Sequence, residues 1–402
     1  MVSEAADTAG ALERLLSEPA LAVAERESAC APLLSGDGPP MVLFGAGGLG
    51  RRTLAGLRRL GLEPVAFSDN DPALWGTDVD GVPVLSPRDS ARYARDGVAV
   101  VTIWRAEGGH EFAITRSQLE TFGWLRVEPF LPLYWAAPEQ FLPYLAAGRP
   151  SDVLPAADEI RRAFALLGDE ASRLEFVAQL RWRVLGDFSA VSEPTPGCDA
   201  ANEYWPAGLV SCSASESFVD CGAFDGDTLC RYVHAFSSFS AWSAYEPDPV
   251  NVEVLERRVA ALPSDLGRRV RVRAAATGAA AATAFFVADG TAAAHLSPTG
   301  AVSAIEVPVA ALDEEDLPSA PSFVKLDVEG AEAATLRGAS ALLRAHRPTL
   351  AVSAYHRLPD LWELPLLVHE LCPWARLELR AHAAEAFDLV LYALTSGESS
   401  GV

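Results

Sequence analysis

An aspartate, a glycine-rich turn and a glutamate stand in an order that suits nucleotide chemistry. Asp220 closes a short apolar run (Ser217, Phe218, Val219), and Gly222, Ala223, Gly226 and Thr228 follow it. A helix-forming stretch and a second apolar run (Trp242, Ala244, Tyr245) lead to Glu246, with Asp248 just beyond. This is the plan of a nucleotide-binding βαβ unit. Glycines let the backbone approach a ligand, and an acid ending the second strand can take the two ribose hydroxyls. Thr228 is placed to cap the helix. Asp248 is grouped with Glu246 on the cofactor side. A glycine turn alone says little, but joined to an acidic strand end at this separation it is specific.

A second set of chemically able residues lies in SFVKLDVEGAEAATLRGASALLR, residues 322–344. A buried parallel strand is normally apolar on both faces, yet here Lys325, Asp327 and Glu329 share one face by two-residue alternation. Burying such charges is costly unless they pair or act on a ligand. They read as a polar floor for a substrate, with Asp327 and Glu329 as candidate ligands for Mg2+. The alternative is a structural Lys–Asp ion pair. Glu332 lies one turn further on. The run LAVSAYH ends in His356, at a strand edge where doubly wound folds bind ligands. An imidazole there can act as a general base, with Asp360 and Glu363 to orient it, and activity should then rise with pH through the imidazole range. His295, in DGTAAAHLS, could lie near the ligand and has no assigned role.

The glycine spacing D-x-G-A-x-x-G-x-T resembles the first motif of S-adenosylmethionine-dependent methyltransferases. VDCGAFDGDT, YEPDPVN, VKLDVEGAE and AYHRLPDLWELP, in this order, resemble the FkbM family of methyltransferases. The resemblance covers residues 204–394. It implies a class I methyltransferase fold and S-adenosylmethionine as methyl donor. It further implies O-methylation of a hydroxyl on a small molecule, sugar or polyketide-type product. On that resemblance Asp220, Gly222, Ala223 and Glu246 contact the cofactor, and Asp327, Glu329 and His356 face the acceptor. The acceptor itself does not carry over, because the family is broad in substrate.

The N-terminal half departs from the smallest members of that family. It has its own G-x-G-x-x-G (Gly45, Gly47, Gly50) between an apolar run at 41–44 and a helical stretch at 51–60. A second run at 64–68 ends in Asp69, about the separation of a ribose contact. FSDNDPALWGTDVDGVPVLSP resembles the small Rossmann unit at the front of certain sugar-modifying enzymes, which implies a nucleotide or sugar-nucleotide there. The other reading is a Rossmann scaffold kept for packing or for a homo-oligomer. No Tyr-x-x-x-Lys pair follows. That weakens the rival reading of an NAD(P)-dependent oxidoreductase or epimerase. A non-catalytic nucleotide-binding regulator is the third reading.

These residues need elements to hold them. The fold class expected is α/β: a doubly wound methyltransferase sheet with an antiparallel edge, plus a Rossmann-like α/β domain. The divisions read as a helical lead-in (1–37), a Rossmann-like domain (38–130), a helical connector (131–207) and the methyltransferase domain (208–395). Strands are expected at 218–219, 242–245, 270–274, 284–287, 305–309, 323–327 and 350–354, with a closing pair at 377–380 and 388–394. At 402 residues, half of them hydrophobic, more than one core is expected. A formal net charge of −22 repels phosphate backbones, so nucleic-acid partners are not expected and a small-molecule acceptor is. No apolar run reaches the roughly 18 residues that span a bilayer. The acidic N-terminus does not read as a secretory signal, and the six cysteines form no C-x-x-C pair. A reducing cytoplasm is the expected setting.

Overall fold

The structure is a computed structural model that describes residues 7–104, 111–287, 295–297 and 304–395. The chain forms two compact units. One consists of Met1–Asp158, Leu174–Pro194 and Ala383–Phe387, the other of Glu159–Arg173, Thr195–His382 and Asp388–Val402.

The first unit is built on β1 (Met41–Phe44), β2 (Ala66–Ser68), β3 (Asp78–Val79), β4 (Val82–Leu85), β5 (Val98–Val101) and β6 (Val127–Pro129), in the order β3-β4-β2-β1-β5-β6. Only β3 runs antiparallel to its neighbour. The runs MVLF and VAVV are buried at every position, as strands covered on both faces must be. The lead-in is not one helix. Thr8–Leu16 and Ala20–Ser28 are separate, because Pro19 cannot continue the first and stands as N-cap of the second.

The second unit holds β7 (Ser217–Cys221), β8 (Ala241–Tyr245), β9 (Val270–Arg273), β10 (Ala276–Thr277), β11 (Ala282–Val287), β12 (His295–Ser297), β13 (Ala304–Ala310), β14 (Phe323–Leu326), β15 (Thr349–Ser353), β16 (Arg376–Ala381) and β17 (Leu389–Leu394). Seven of them form the main sheet, ordered β16-β17-β15-β14-β7-β8-β9. The five from β15 to β9 are parallel, and β17 and β16 close the edge antiparallel, as expected. Three rings lock the central strands. Phe218 of β7 stacks on Trp242 of β8 at 4.0 Å and on Phe323 of β14 at 4.6 Å, both pairs in direct register.

The runs at 284–287 and 305–309 do not join that sheet. They pair antiparallel as β11 and β13 within a separate four-stranded sheet, β10-β13-β11-β12. Phe285 and Ile305 stay 41% and 37% exposed, which suits a half-solvated antiparallel pair and not a doubly covered parallel strand. His295 begins β12, and its side chain lies outside the described residues, as does most of its loop.

Two glycines are fixed by close backbone approach. A Cβ on Gly50 would lie 2.0 Å from the Gly45 carbonyl oxygen, and one on Gly222 1.8 Å from that of Asp327. Gly222 also has φ +76°. Gly50→Ala and Gly222→Ala should each cost more than about 2 kcal/mol of stability. Gly48→Ala should be neutral, since nothing lies within 4 Å of its added carbon. Thermal unfolding of the three full-length variants checks this order.

Candidate active site

The C-terminal ends of β7, β8 and β14 bring the sequence-proposed residues together. Asp220 lies on β7 opposite Lys325 of β14. Asp220 is fully buried and Lys325 is 2% exposed. The ammonium sits 3.0 Å from Asp220 Oδ1, donates to the Gly222 carbonyl at 2.5 Å, and lies 5.3 Å from the centre of the Tyr204 ring. Burial alone would lower the lysine pKa, but Asp220, Asp327 and Asp227 outweigh it and hold the group charged. Burial pushes Asp220 up, against the pull of Lys325. Lys325 thus braces the turn from behind, buried against Asp220 and the Gly222 carbonyl. The ion pair joins it to Asp220 on the neighbouring strand, not to Asp327.

The turn after Asp220 is held by its own backbone. The amides of Gly222 and Ala223 both donate to the Tyr245 carbonyl, at 3.0 and 2.9 Å. The Phe224 amide donates to Glu246 Oε2 and the Asp248 amide to Oε1, each at 2.9 Å. Glu246 is 5% exposed, and burial raises its pKa against those two bonds. The acid at the strand end is therefore rigid before any ligand arrives, with the Asn251 side chain as a third hydrogen-bond partner. Thr228 does not cap helix Asp227–Phe236; Gly226 does, in the left-handed region at φ 87°. Asp248 is fully buried as N-cap of helix Pro249–Ala261, its Oδ1 accepting from the Val250 amide, which gives it a structural place at the helix start. Ala223 is 1% exposed and reaches the site only through its backbone.

β14 ends at Leu326, so Asp327 and Glu329 lie in the following turn and alternation does not place them. The turn reverses through Glu329 at φ 51° and Gly330 at φ 95°. It carries both carboxylates, with helix Glu332–Arg337 behind, onto His356. His356 lies three residues beyond β15. Its Nδ1 is 2.8 Å from Glu332 Oε1, and its Nε2 is 3.3 Å from Asp327 Oδ1 and 3.6 Å from Glu329 Oε2. Burial pushes the imidazole pKa down, but Glu332, Glu329 and Asp327 outweigh it and hold it well above its usual value. Acidic groups on both sides of the ring favour its protonated form. A ring held toward its protonated form is a weaker general base than a free imidazole.

The residue that orients His356 is Glu332, fully buried, which also accepts from the amides of Val328 at 3.0 Å and Gly330 at 3.4 Å. Asp360 instead accepts from the Arg357 amide at 2.7 Å, and half-exposed Glu363 pairs with Arg357 at 3.3 Å. Asp327 and Glu329 are the open groups, with side chains 24% and 26% exposed. Burial pushes Asp327 up, yet Lys325 and His356 hold it below the usual range. Burial pushes Glu329 up to about 8. Tyr204 donates to Asp327 Oδ2 at 3.1 Å. Glu203 beside it, paired with Arg231 at 3.2 Å, is raised by burial; no spacing in the sequence points to it.

In the other unit the glycine turn repeats the device. Asp69 Oδ2 accepts from the Ala46 amide at 2.8 Å, and Oδ1 from the Asp71 amide at 2.9 Å. Gly50 is filled behind by backbone and Gly45 by the Ile103 side chain and Thr102 backbone, while Gly47 faces open space.

If the Lys325–Asp220 pair braces the site, Lys325→Met should destabilise the chain by about 3–5 kcal/mol, by leaving a buried carboxylate alone. Lys325→Arg should fail as well, because a planar fork cannot take the place of a compact ammonium. Adding Asp220→Leu to Lys325→Met should recover part of the loss. Thermal unfolding of the full chain reads all three.

Residues 220–382 match the family model of the methyltransferase FkbM domain. No curated protein matches the sequence. Among solved structures, methyltransferase FkbM from Methylobacillus flagellatus KT is similar with a TM-score of 0.74 at 23% identity, over 96% of this chain and 98% of that one. That likeness shows the fold. Precorrin-6y C5,15-methyltransferase from Geobacter metallireducens GS-15 matches at 12% identity over 46% of this chain and 82% of that one, with a TM-score of 0.29. UDP-D-quinovosamine 4-dehydrogenase from Vibrio fischeri matches at 24% identity over 23% and 75%, with a TM-score of 0.19. The α/β unit that holds Asp220, Glu246 and the His356 cluster therefore carries a methyltransferase domain of the FkbM family.

Proposed function

We propose that this chain is an S-adenosylmethionine-dependent O-methyltransferase acting on a hydroxyl of a small molecule, sugar or polyketide-type product. The observation that carries the reading is the pair of acids on adjacent strands. Asp220, with Oδ2 buried and without a hydrogen-bond partner, awaits a donor. Glu246, fixed by two amides and the Asn251 side chain, is the acid we assign to the ribose. S-adenosylmethionine brings both an ammonium and a ribose, so the residues fit it, and when bound it supplies an electrophilic methyl group. Asp220 and Glu246 would hold and orient it. Asp327 and Glu329, the partly exposed carboxylates, are our candidates for taking the acceptor's proton. The enzyme's contribution is then chiefly alignment, with proton removal added. We assign this role to residues 208–395, with 131–207 as connector and 38–130 as a nucleotide-binding-type domain.

A second ligand in the first unit has one observation behind it: Asp69 is fixed as Glu246 is, and Gly47 and Gly48 beside it face open space. We propose a nucleotide or sugar-nucleotide for that place.

Glu246→Gln keeps one acceptor oxygen and should leave the fold intact. It should weaken binding of S-adenosylhomocysteine by about 1.5–3 kcal/mol, the range for hydrogen bonds to charged groups. An unchanged dissociation constant would put the ribose elsewhere. Methyl-labelled S-adenosylmethionine, incubated with hydroxylated sugars and polyketides, should yield an alkali-stable labelled ether. Label carried only by amine or carboxyl acceptors would overturn the oxygen assignment.

A further inference from the structure

The glycine turn after β7 holds one residue in a conformation that does not suit it. Gly222 and Gly226 enter the left-handed region at φ 76° and 87°, as glycines can, but Phe224 between them does so at φ 47°. A bulky side chain there strains the backbone, and such a residue persists only where its surroundings hold it. Here three contacts do. The Phe224 amide donates to Glu246 Oε2 at 2.9 Å, and the Gly226 amide donates to the Ala223 carbonyl at 2.8 Å. Arg258 donates from both terminal nitrogens to the Asp225 carboxylate, at 2.8 and 2.6 Å.

The ring gives the fold little in return. Phe224 is half-buried, and among the described residues its ring meets no other aromatic ring. It is also absent from the described residues that form or line the core of Ala223, Leu229 and Leu255. Its two neighbours are committed elsewhere. Ala223 is buried in that core, and Asp225 turns to Arg258 of helix Pro249–Ala261. What remains for the ring is the open side of the turn, beside the carboxylate that its own amide holds. Strain kept at a position without a packing purpose points to a ligand contact.

We propose that the ring of Phe224 packs against the adenosyl moiety of the cofactor and helps to position it. The inference rests on the reading of Glu246 as the acid that takes the ribose. An adenosyl group offers a flat purine and the apolar edge of a sugar, and an aromatic ring suits both. The strained backbone then has a use: it sets the ring at a fixed place before the ligand arrives, which lowers the ordering cost of binding.

The test is calorimetric titration of the full chain with S-adenosylhomocysteine and with 5′-methylthioadenosine, which keeps the adenosyl part and lacks the amino acid. Phe224→Asn removes the ring, and asparagine tolerates the left-handed region. It should weaken binding of both ligands about tenfold, the scale of one lost stacking contact. Its unfolding temperature should be no lower than that of the wild type, because strain is relieved. Phe224→Tyr keeps the ring and should bind within about twofold of the wild type. Undiminished binding by Phe224→Asn overturns the proposal and leaves the cofactor reading standing. Weaker binding of S-adenosylhomocysteine alone would put the ring at the amino-acid end, and a lowered unfolding temperature would assign it to the fold. Either result also overturns the proposal. A wild-type chain that binds neither ligand would remove the cofactor reading itself.

Discussion

The buried ion pair between Lys325 and Asp220 is the constraint on which the rest of the site depends. It spans the two central strands of the seven-stranded sheet and reaches past them to the Gly222 carbonyl. Taking two charges out of water is expensive, and a pair of this kind seldom adds stability over a well-packed apolar pair. What it provides is position. The ammonium fixes the glycine turn against the end of β14, where Gly222 and the Asp327 carbonyl meet so closely that no side chain fits between them. From that contact follow the course of the turn through Glu329 and Gly330 and the placing of Asp327 under Tyr204.

The two units use one solution to a shared problem. A strand that ends in a glycine turn leaves amides to be paired. In each unit the acid that ends the next strand pairs one of them and accepts a second amide from two residues beyond itself. The carboxylate is thereby immobilised before a ligand binds, which lowers the ordering cost of binding. The units differ in what stands behind the turn. The first has no counterpart to Lys325, the only lysine of the chain.

Much of this was legible in the sequence. The glycine turns, the acidic strand ends and the antiparallel closing pair depend on local spacing, and local spacing is what a sequence displays. Alternation stops at Leu326, because a charged run does not announce where its strand ends. The role of Glu332 is not legible in sequence, since only the chain reversal brings it to His356. Asp248 carried a readable signal: Asp followed by Pro249 at the start of an amphipathic stretch is a helix-start signature. A solitary lysine among many arginines was another such signal, pointing to a place that needs a compact ammonium. The separate small sheet was hidden because short apolar runs look alike in parallel and antiparallel sheets.

The Asp220 turn and Glu246, as proposed, form a site for an adenosyl cofactor. The most direct measurement is calorimetric titration of the full chain with S-adenosylhomocysteine and, separately, with NAD. The account predicts saturable one-to-one binding of S-adenosylhomocysteine that Asp220→Asn weakens while the fold stays intact. Binding of NAD with no heat from S-adenosylhomocysteine would contradict it.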